Sequence, residues 1–344
     1  MAGNVTIPQI AEAAGVSTAT VDRVLNDRPG VNPETVKRVR DAMSTLGVET
    51  TQRGRPRASP QYRFAYVLPG TRLAFFDMVD RQIAQAAGDF RHQHITELTL
   101  RLDVAEPQAY AAELARLTDF DGVVLVAPDT PPAKLAINEL VRAGVHVVTV
   151  FSDVPGSMRE TFIGADNRAA GRTAGLLIGR MVTALGAVRC ALFSPPTRYT
   201  AAIDRRIGYA QVLEERFPRL EMVRLNDLPE FEDDAYAAAL ASVPRKGSTN
   251  EIHAAYHVGA GTYGLARALT DLGYGVGFPF VAHDLTETHR SMLVSGSLAY
   301  VLHQDIYYVV LTAARVLRAL CEGVRGALAV AQPHVEIVTA ENLT

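Results

Sequence analysis

Two short segments of this 344-residue chain concentrate side chains whose types and spacing could do chemistry. Ser17, Thr18, Ala19 and Thr20 are small and mostly polar, and Arg23 follows about one helical turn later. On a helix, small polar residues allow deep approach to a groove. An arginine there can donate to guanine O6 and N7 or grip a phosphate. Arg53-Gly-Arg-Pro-Arg57 gathers three guanidinium groups in one short run. Its glycine permits close approach, its proline favours extension, and narrow A·T minor grooves attract arginine. The same run also reads as a solvated basic linker with general phosphate attraction. Both readings stay open.

Catalytic patterns are sparse. No P-loop, G-x-S-x-G or H-E-x-x-H motif occurs. Gly259-Ala-Gly-Thr-Tyr-Gly264 has the G-x-G-x-x-G spacing, but it lies late in the chain, away from a first strand-helix turn. It is expected to be a packing motif at a helix start. His92 and His94 lack a third metal ligand nearby, and Cys190 and Cys321 are too few for a cysteine zinc site. No metal, cofactor or enzymatic activity is expected.

The elements that position these groups are legible from caps and apolar spacing. Thr6-Ile-Pro-Gln9 fits a capping box, and the helix it opens carries Ile10, Ala11 and Ala14 before Gly15. Ser17 caps a second helix with Val21, Val24 and Leu25 on one stripe. Asn32-Pro33 starts a third, with Val36, Val39, Met43 and Leu46 at helical steps. Two short helices around a glycine turn with a third packed on them make a helix-turn-helix domain. The stretch from Glu49 to Gln61 has no large apolar residue and reads as a linker. From Phe64 onward, strands alternate with helices, which implies parallel sheets with right-handed crossovers. About a dozen strands exceed one comfortable sheet, so two α/β subdomains with a cleft at their strand ends are expected.

Charge follows the same division. The chain has 34 basic and 37 acidic side chains, which as a total argues against nucleic acid. Residues 1–60 hold eight of the basic and six of the acidic ones, so a slightly positive head precedes an acidic remainder. The N-terminus has no secretory pattern and no apolar run approaches about 18–20 residues, so a cytoplasmic protein without a membrane role is expected.

The segment Val5-Thr-Ile-Pro-Gln-Ile-Ala-Glu-Ala-Ala-Gly-Val-Ser-Thr-Ala-Thr-Val-Asp-Arg-Val-Leu-Asn26 resembles the head of the lactose-repressor (LacI) family of bacterial transcription regulators. The likeness continues through Gly30-Val-Asn-Pro-Glu-Thr35 to Leu46-Gly47. The remainder resembles the type I periplasmic-binding-protein fold. Its sharpest pieces are Phe162-Ile-Gly-Ala-Asp-Asn-Arg-Ala-Ala-Gly-Arg-Thr-Ala-Gly175, Ala260-Gly-Thr-Tyr-Gly264, Val281-Ala-His-Asp284 and His303-Gln-Asp-Ile-Tyr307. The linker departs from the family. It has no leucine to wedge into a minor groove, and Pro56 stands where a hinge helix usually runs. Asp22 replaces a more usual serine and could accept from a cytosine or pair with Arg23 or Arg28.

The resemblance implies a DNA-binding domain over 1–47, a linker over 48–61 and an effector-binding, dimerising domain over 62–344. Within the last, one subdomain would comprise about 62–164 and 297–322, the other about 166–295 and 328–340. Thr18, Ala19 and Arg23 would face bases, Thr6, Ser17 and Asn26 would fix register on phosphates, and Arg53, Arg55 and Arg57 would contact DNA from the linker. A sugar or polyol would be held by Arg205, Asp284 and Gln304 against Phe75 and Phe76, with Asp153 and Thr262 as further contributors. Arg206 competes with Arg205, Phe76 also fits a core stripe, and Asp166-Asn167 either caps a helix or touches ligand. The implied function is a dimeric, effector-controlled regulator, expected to be a repressor, on a pseudo-palindromic double-stranded operator. A sugar-binding module without a DNA role and a two-domain enzyme acting on sugars are the alternatives.

Overall fold

The computed structural model describes residues 5–25, 28, 30–46, 61–186, 188–226, 228–324 and 330–343. Asn26, Arg53, Arg55 and Arg57 lie outside them. The chain divides into two compact units, Met1–Pro60 and Gln61–Thr344.

The first unit has three helices, α1 (Ile7–Ala14), α2 (Thr18–Leu25) and α3 (Pro33–Thr45). The backbone amide of Thr6 donates to Gln9 Oε1 at 2.8 Å, which completes the capping box. Gly15 ends α1 at a φ of 63°, a left-handed conformation glycine adopts at little cost. Ser17 Oγ accepts from the Thr20 amide at 3.2 Å, and Asn32 Oδ1 from the Glu34 amide at 2.9 Å. Ile10, Ala14, Val21, Val39 and Met43 form the small core.

The second unit is two α/β lobes. The first sheet contains β1 (Tyr62–Pro69), β2 (Ile95–Leu102), β3 (Gly122–Leu125), β4 (His146–Val150) and β5 (Thr161–Ile163), in the order β2-β1-β3-β4-β5. All its pairings are parallel. Helices α4 (Ala74–His92), α5 (Pro107–Leu114) and α6 (Pro131–Arg142) connect its strands. The second sheet contains β6 (Arg189–Ser194), β7 (Glu221–Asn226), β8 (Ala254–His257), β9 (Phe280–His283), β10 (Tyr300–Gln304) and β11 (Val335–Val338), in the order β11-β10-β9-β8-β6-β7. Helices α7 (Asn167–Ala184), α8 (Thr200–Arg216), α9 (Glu232–Ser242), α10 (Thr262–Asp271) and α11 (Glu287–Val294) belong with it, and α12 (Ile306–Cys321) follows β10. No described helix is long and apolar enough to cross a membrane.

Two expectations are corrected. The segment 297–322 does not lie wholly in the first lobe. Its strand β10 pairs with β9 and β11 of the second sheet, and only α12 returns to the first core. The Tyr66 hydroxyl donates to the Val310 carbonyl at 3.0 Å, tying α12 to β1. The second crossing therefore lies at about residue 305, not at 295–297. Strand β11 is antiparallel to β10. It closes the edge of the second sheet, where an antiparallel strand needs no crossover helix.

Candidate functional site

The cleft-lining side chains sit at or just beyond the C-terminal ends of strands, where an open parallel sheet leaves a crevice. Val126 follows β3, Phe151 follows β4, Glu230 follows β7, Asp284 follows β9, and Gln304 ends β10. Together with the starts of α4, α8 and α10 they enclose a cavity of about 390 Å³, a size that suits a small molecule.

Arg205 is the centre of the polar wall. Glycines set its position. A β-carbon on Gly171 would fall onto the Arg205 carbonyl oxygen, and one on Gly208 onto that of Arg168, so α7 and α8 lie backbone to backbone. This closeness brings Asn167, the first residue of α7, under the Arg205 side chain. Arg205 Nε donates to Asn167 Oδ1 at 2.8 Å, and Asn167 Nδ2 donates to the Phe151 carbonyl at 3.2 Å. Arg205 Nη1 lies 3.8 Å from Asp284 Oδ2. Both side chains are largely buried, and Asp284 Oδ1 has no partner. The Asp284 backbone is left-handed, at a φ of 63°, a rare conformation for a non-glycine residue that concentrates at functional sites.

The structure brings Phe75, Phe76, Arg205, Thr262, Asp284 and Gln304 to one cavity. Phe75 meets Phe151 edge-on with ring centroids 5.2 Å apart, while Phe76 is mostly buried in the first core. Gln304 Oε1 accepts from the Ala165 amide at 3.4 Å. The buried Thr262 hydroxyl pairs with His257 Nδ1 at 2.9 Å. Arg206 does not line the cavity. Asp166 caps α7, accepting from the Ala169 amide at 2.9 Å, and it is Asn167 that reaches the site by way of Arg205.

Asp153 is a correction. It does not line the cavity, because its carboxylate is already committed. Burial opposes its ionisation, yet hydrogen bonds from Arg159 and Thr149 outweigh that and hold its pKa below the usual carboxylate value. Glu230 and Phe231 line the cavity and had no helical or strand periodicity to reveal them. Burial raises the Glu230 carboxyl above its ordinary value. The G-x-G-x-x-G segment packs helices: a β-carbon on Gly264 would overlap the Glu232 carbonyl oxygen of α9.

Three histidines, His257, His283 and His289, are buried, and His283 and His289 line the cavity. His289 Nδ1 donates to the Asp284 carbonyl at 2.6 Å, and His283 Nε2 pairs with the Tyr256 hydroxyl at 2.6 Å. Burial lowers all three pKa values, that of His257 to about 3. A histidine depressed on folding binds protons first in the unfolded chain. It costs no stability above its ordinary value of 6.5 and destabilises the fold as pH drops below that. We expect calorimetric Tm to fall as pH drops below about 6.5, and His257→Asn to make that fall shallower. An unchanged slope would contradict the burial of a neutral His257.

On the head, Thr18, Ala19 and Arg23 are exposed on α2. Thr6 and Ser17 are exposed at the starts of α1 and α2, with the capping roles given above. Arg28 Nη1 lies 3.5 Å from Asp22 Oδ2, so the unusual acid is ion-paired within the head. No group of three metal-ligating side chains occurs among the described residues.

Known proteins resemble both units. Residues 6–49 match the lacI family of bacterial regulatory proteins, and residues 64–324 match the periplasmic binding protein domain family. The transcriptional regulator AglR of Rhizobium meliloti (strain 1021) is 24% identical over 285 residues, covering 81% of this chain and 78% of its own. The regulator MalR of Streptomyces coelicolor is 27% identical over 213 residues, covering 61% of this chain and 59% of its own. Among solved structures, GanP, a glucose-galactose binding protein from Geobacillus stearothermophilus, superposes with a TM-score of 0.71 at 17% identity. It covers 83% of this chain and 99% of its own. A transporter solute-binding protein from Burkholderia graminis, solved with D-arabinose, has a TM-score of 0.71 at 19% identity, covering 83% of this chain and 98% of its own. These structural likenesses establish the fold of the second unit. With the head and the cleft described, the chain belongs to the LacI family of transcriptional regulators, carrying a helix-turn-helix DNA-binding domain and a periplasmic-binding-protein domain.

Proposed function

We propose that the protein is a homodimeric repressor whose affinity for a pseudo-palindromic operator is set by a sugar or polyol bound between Arg205 and Asp284. The observation that carries the ligand reading is the Arg205–Asp284 pair at 3.8 Å with Asp284 Oδ1 unpartnered at a cavity wall. A planar guanidinium and a carboxylate can each engage neighbouring hydroxyls, and Phe75 supplies a ring face. Names of the fold's relatives support the ligand class, since GanP is a glucose-galactose binding protein and the Burkholderia protein holds D-arabinose. A ligand that binds one lobe arrangement better than another shifts their populations, and coupling of that shift to the head alters DNA affinity. Two symmetric heads would read two half-sites. Thr18, Ala19 and Arg23 are assigned to bases, Thr6, Ser17 and Asn26 to phosphates and register, and Arg53, Arg55 and Arg57 to the linker's contact.

A thermal-shift screen of pentoses, hexoses, inositols and sugar acids tests the ligand class, with each hit then titrated against operator DNA selected from a random pool. The expected result is a stabilising neutral polyol that changes operator affinity. A screen without any stabilising polyol overturns the reading. For the head, Arg23→Ala should weaken operator binding roughly 5- to 150-fold, the loss of one bidentate base contact. Fluorescence anisotropy on operator and random duplexes checks this. An equal loss on both would make Arg23 a phosphate contact.

A further inference from the structure

The two walls of the cleft are chemically unequal. The second lobe brings most of the polar lining, with Arg205, Glu230, Thr262, Asp284, Thr286 and Gln304 set among apolar residues such as Phe231 and Val258. The first lobe lines the cleft with Leu73, Phe75, Phe76, Val126 and Phe151. Arg72 and Ser152 are the polar side chains it adds. Tyr199, at the start of α8, also lines the cavity and packs on the first lobe's core, with its hydroxyl buried and without a hydrogen-bond partner. Arg72 is exposed at the rim. The Ser152 hydroxyl is occupied, lying 3.1 Å from Thr200 Oγ1 and accepting from the Ala201 amide at 3.3 Å.

Part of the backbone of this wall is occupied as well. The Val126 amide donates to the Val67 carbonyl at 3.0 Å, and the Phe151 amide to the Ile163 carbonyl at 3.2 Å. The Phe151 carbonyl accepts from Asn167. The first-turn amides of α4 remain, and amides donate but cannot accept. A ligand hydroxyl turned toward the side chains of Phe75, Val126 and Phe151 would find no hydrogen-bond partner on them, and burying such a group is costly. A methyl group loses nothing there.

Phe151 supplies an independent sign that the apolar wall is built and not incidental. Its φ is 62°, a left-handed backbone that a bulky aromatic residue rarely adopts. The conformation places its ring against Phe75 and on the cavity. Strain of this kind persists where surrounding structure enforces it, and it clusters at ligand sites.

We propose that the effector is an amphipathic sugar, a deoxy-sugar or O-methylated polyol, with hydroxyls toward Arg205, Asp284 and Gln304 and a methyl or methoxy group against Val126 and Phe151. This rests on reading the cleft as a sugar site. Val126 is then a specificity residue, since it is buried, follows β3 and meets the ligand's apolar edge.

Isothermal titration of the full-length protein with matched pairs tests it: L-rhamnose against L-mannose, L-fucose against L-galactose, and D-ononitol against myo-inositol. In the pair that binds, the deoxy or O-methyl member should bind at least about 10-fold tighter, the range for one methyl group in an apolar pocket. Val126→Thr, which exchanges a methyl for a hydroxyl, should narrow that ratio several-fold. If the fully hydroxylated member binds equally or better, the amphipathic class is wrong and the sugar site stands. If no member of any pair and no other sugar binds, both fall together. An unchanged ratio in Val126→Thr would remove Val126 from the ligand's edge, and with it the proposed orientation.

Discussion

Arg205→Ala should abolish the response to effector and leave operator binding without ligand intact. The side chain holds Asn167 through Nε and neutralises Asp284 through its fork. Its removal strips the ligand of a bidentate donor and leaves a mostly buried carboxylate without its cation. Breaking one side of a buried ion pair costs about 3–5 kcal/mol, so effector affinity should fall by at least about 100-fold. Arg205→Lys keeps the charge but not the planar fork, and should recover stability more than binding. Titration calorimetry reads the affinity, and anisotropy on operator DNA reads the uncoupling. Effector affinity within a few-fold of wild type in Arg205→Ala would show that the ligand is gripped elsewhere.

Gly171→Ala should be among the most damaging single-methyl changes in the described residues of the second unit, beside Gly264→Ala and Gly208→Ala. The added carbon would overlap the Arg205 carbonyl oxygen, a backbone atom that cannot turn aside. Helices α7 and α8 would have to separate. Overpacking of this kind costs about 1–3 kcal/mol, occasionally more. In a domain of this size that lowers Tm by roughly 2–5 °C. The same displacement draws Arg205 away from Asn167, so effector binding should weaken in parallel. Gly88→Ala is the matched control. It lies in α4 with nothing near the added carbon, and should leave Tm unchanged or raise it slightly. Equal melting of the two variants would mean that α7 and α8 are not in backbone contact.

Much of this architecture was legible in the residues, because local signals agreed with the tertiary fold. Thr6 with Gln9 and Asn32 with Pro33 mark the starts of α1 and α3, and both caps are formed. Strand-helix alternation pointed to two lobes with a cleft at strand ends. Other features had no local signal. Asp153 stands near a strand end like a ligand-binding acid, and no periodicity shows that the turn after β4 folds Arg159 back onto it beside Thr149. Glu230 and Phe231 sit in a connection without periodicity. The placement of β10 was hidden because an apolar parallel strand looks alike in either sheet; only its neighbours β9 and β11 decide it.

The crossing at residue 305 also governs how such a protein could be re-engineered. Gln304, on the cavity, ends β10 of the second sheet, and Asp305 caps α12 of the first lobe, accepting from the Tyr308 amide at 2.8 Å. Grafting a first lobe from one relative onto another therefore requires a spliced gene with two separate donor pieces, β1 through β5 and α12. One seam belongs between Gln304 and Asp305. A seam at 295–297 would carry β10 along with the donor and tear an interior strand out of the recipient's second sheet. A chimera cut there should be insoluble, whereas one cut directly after Gln304 keeps both sheets whole.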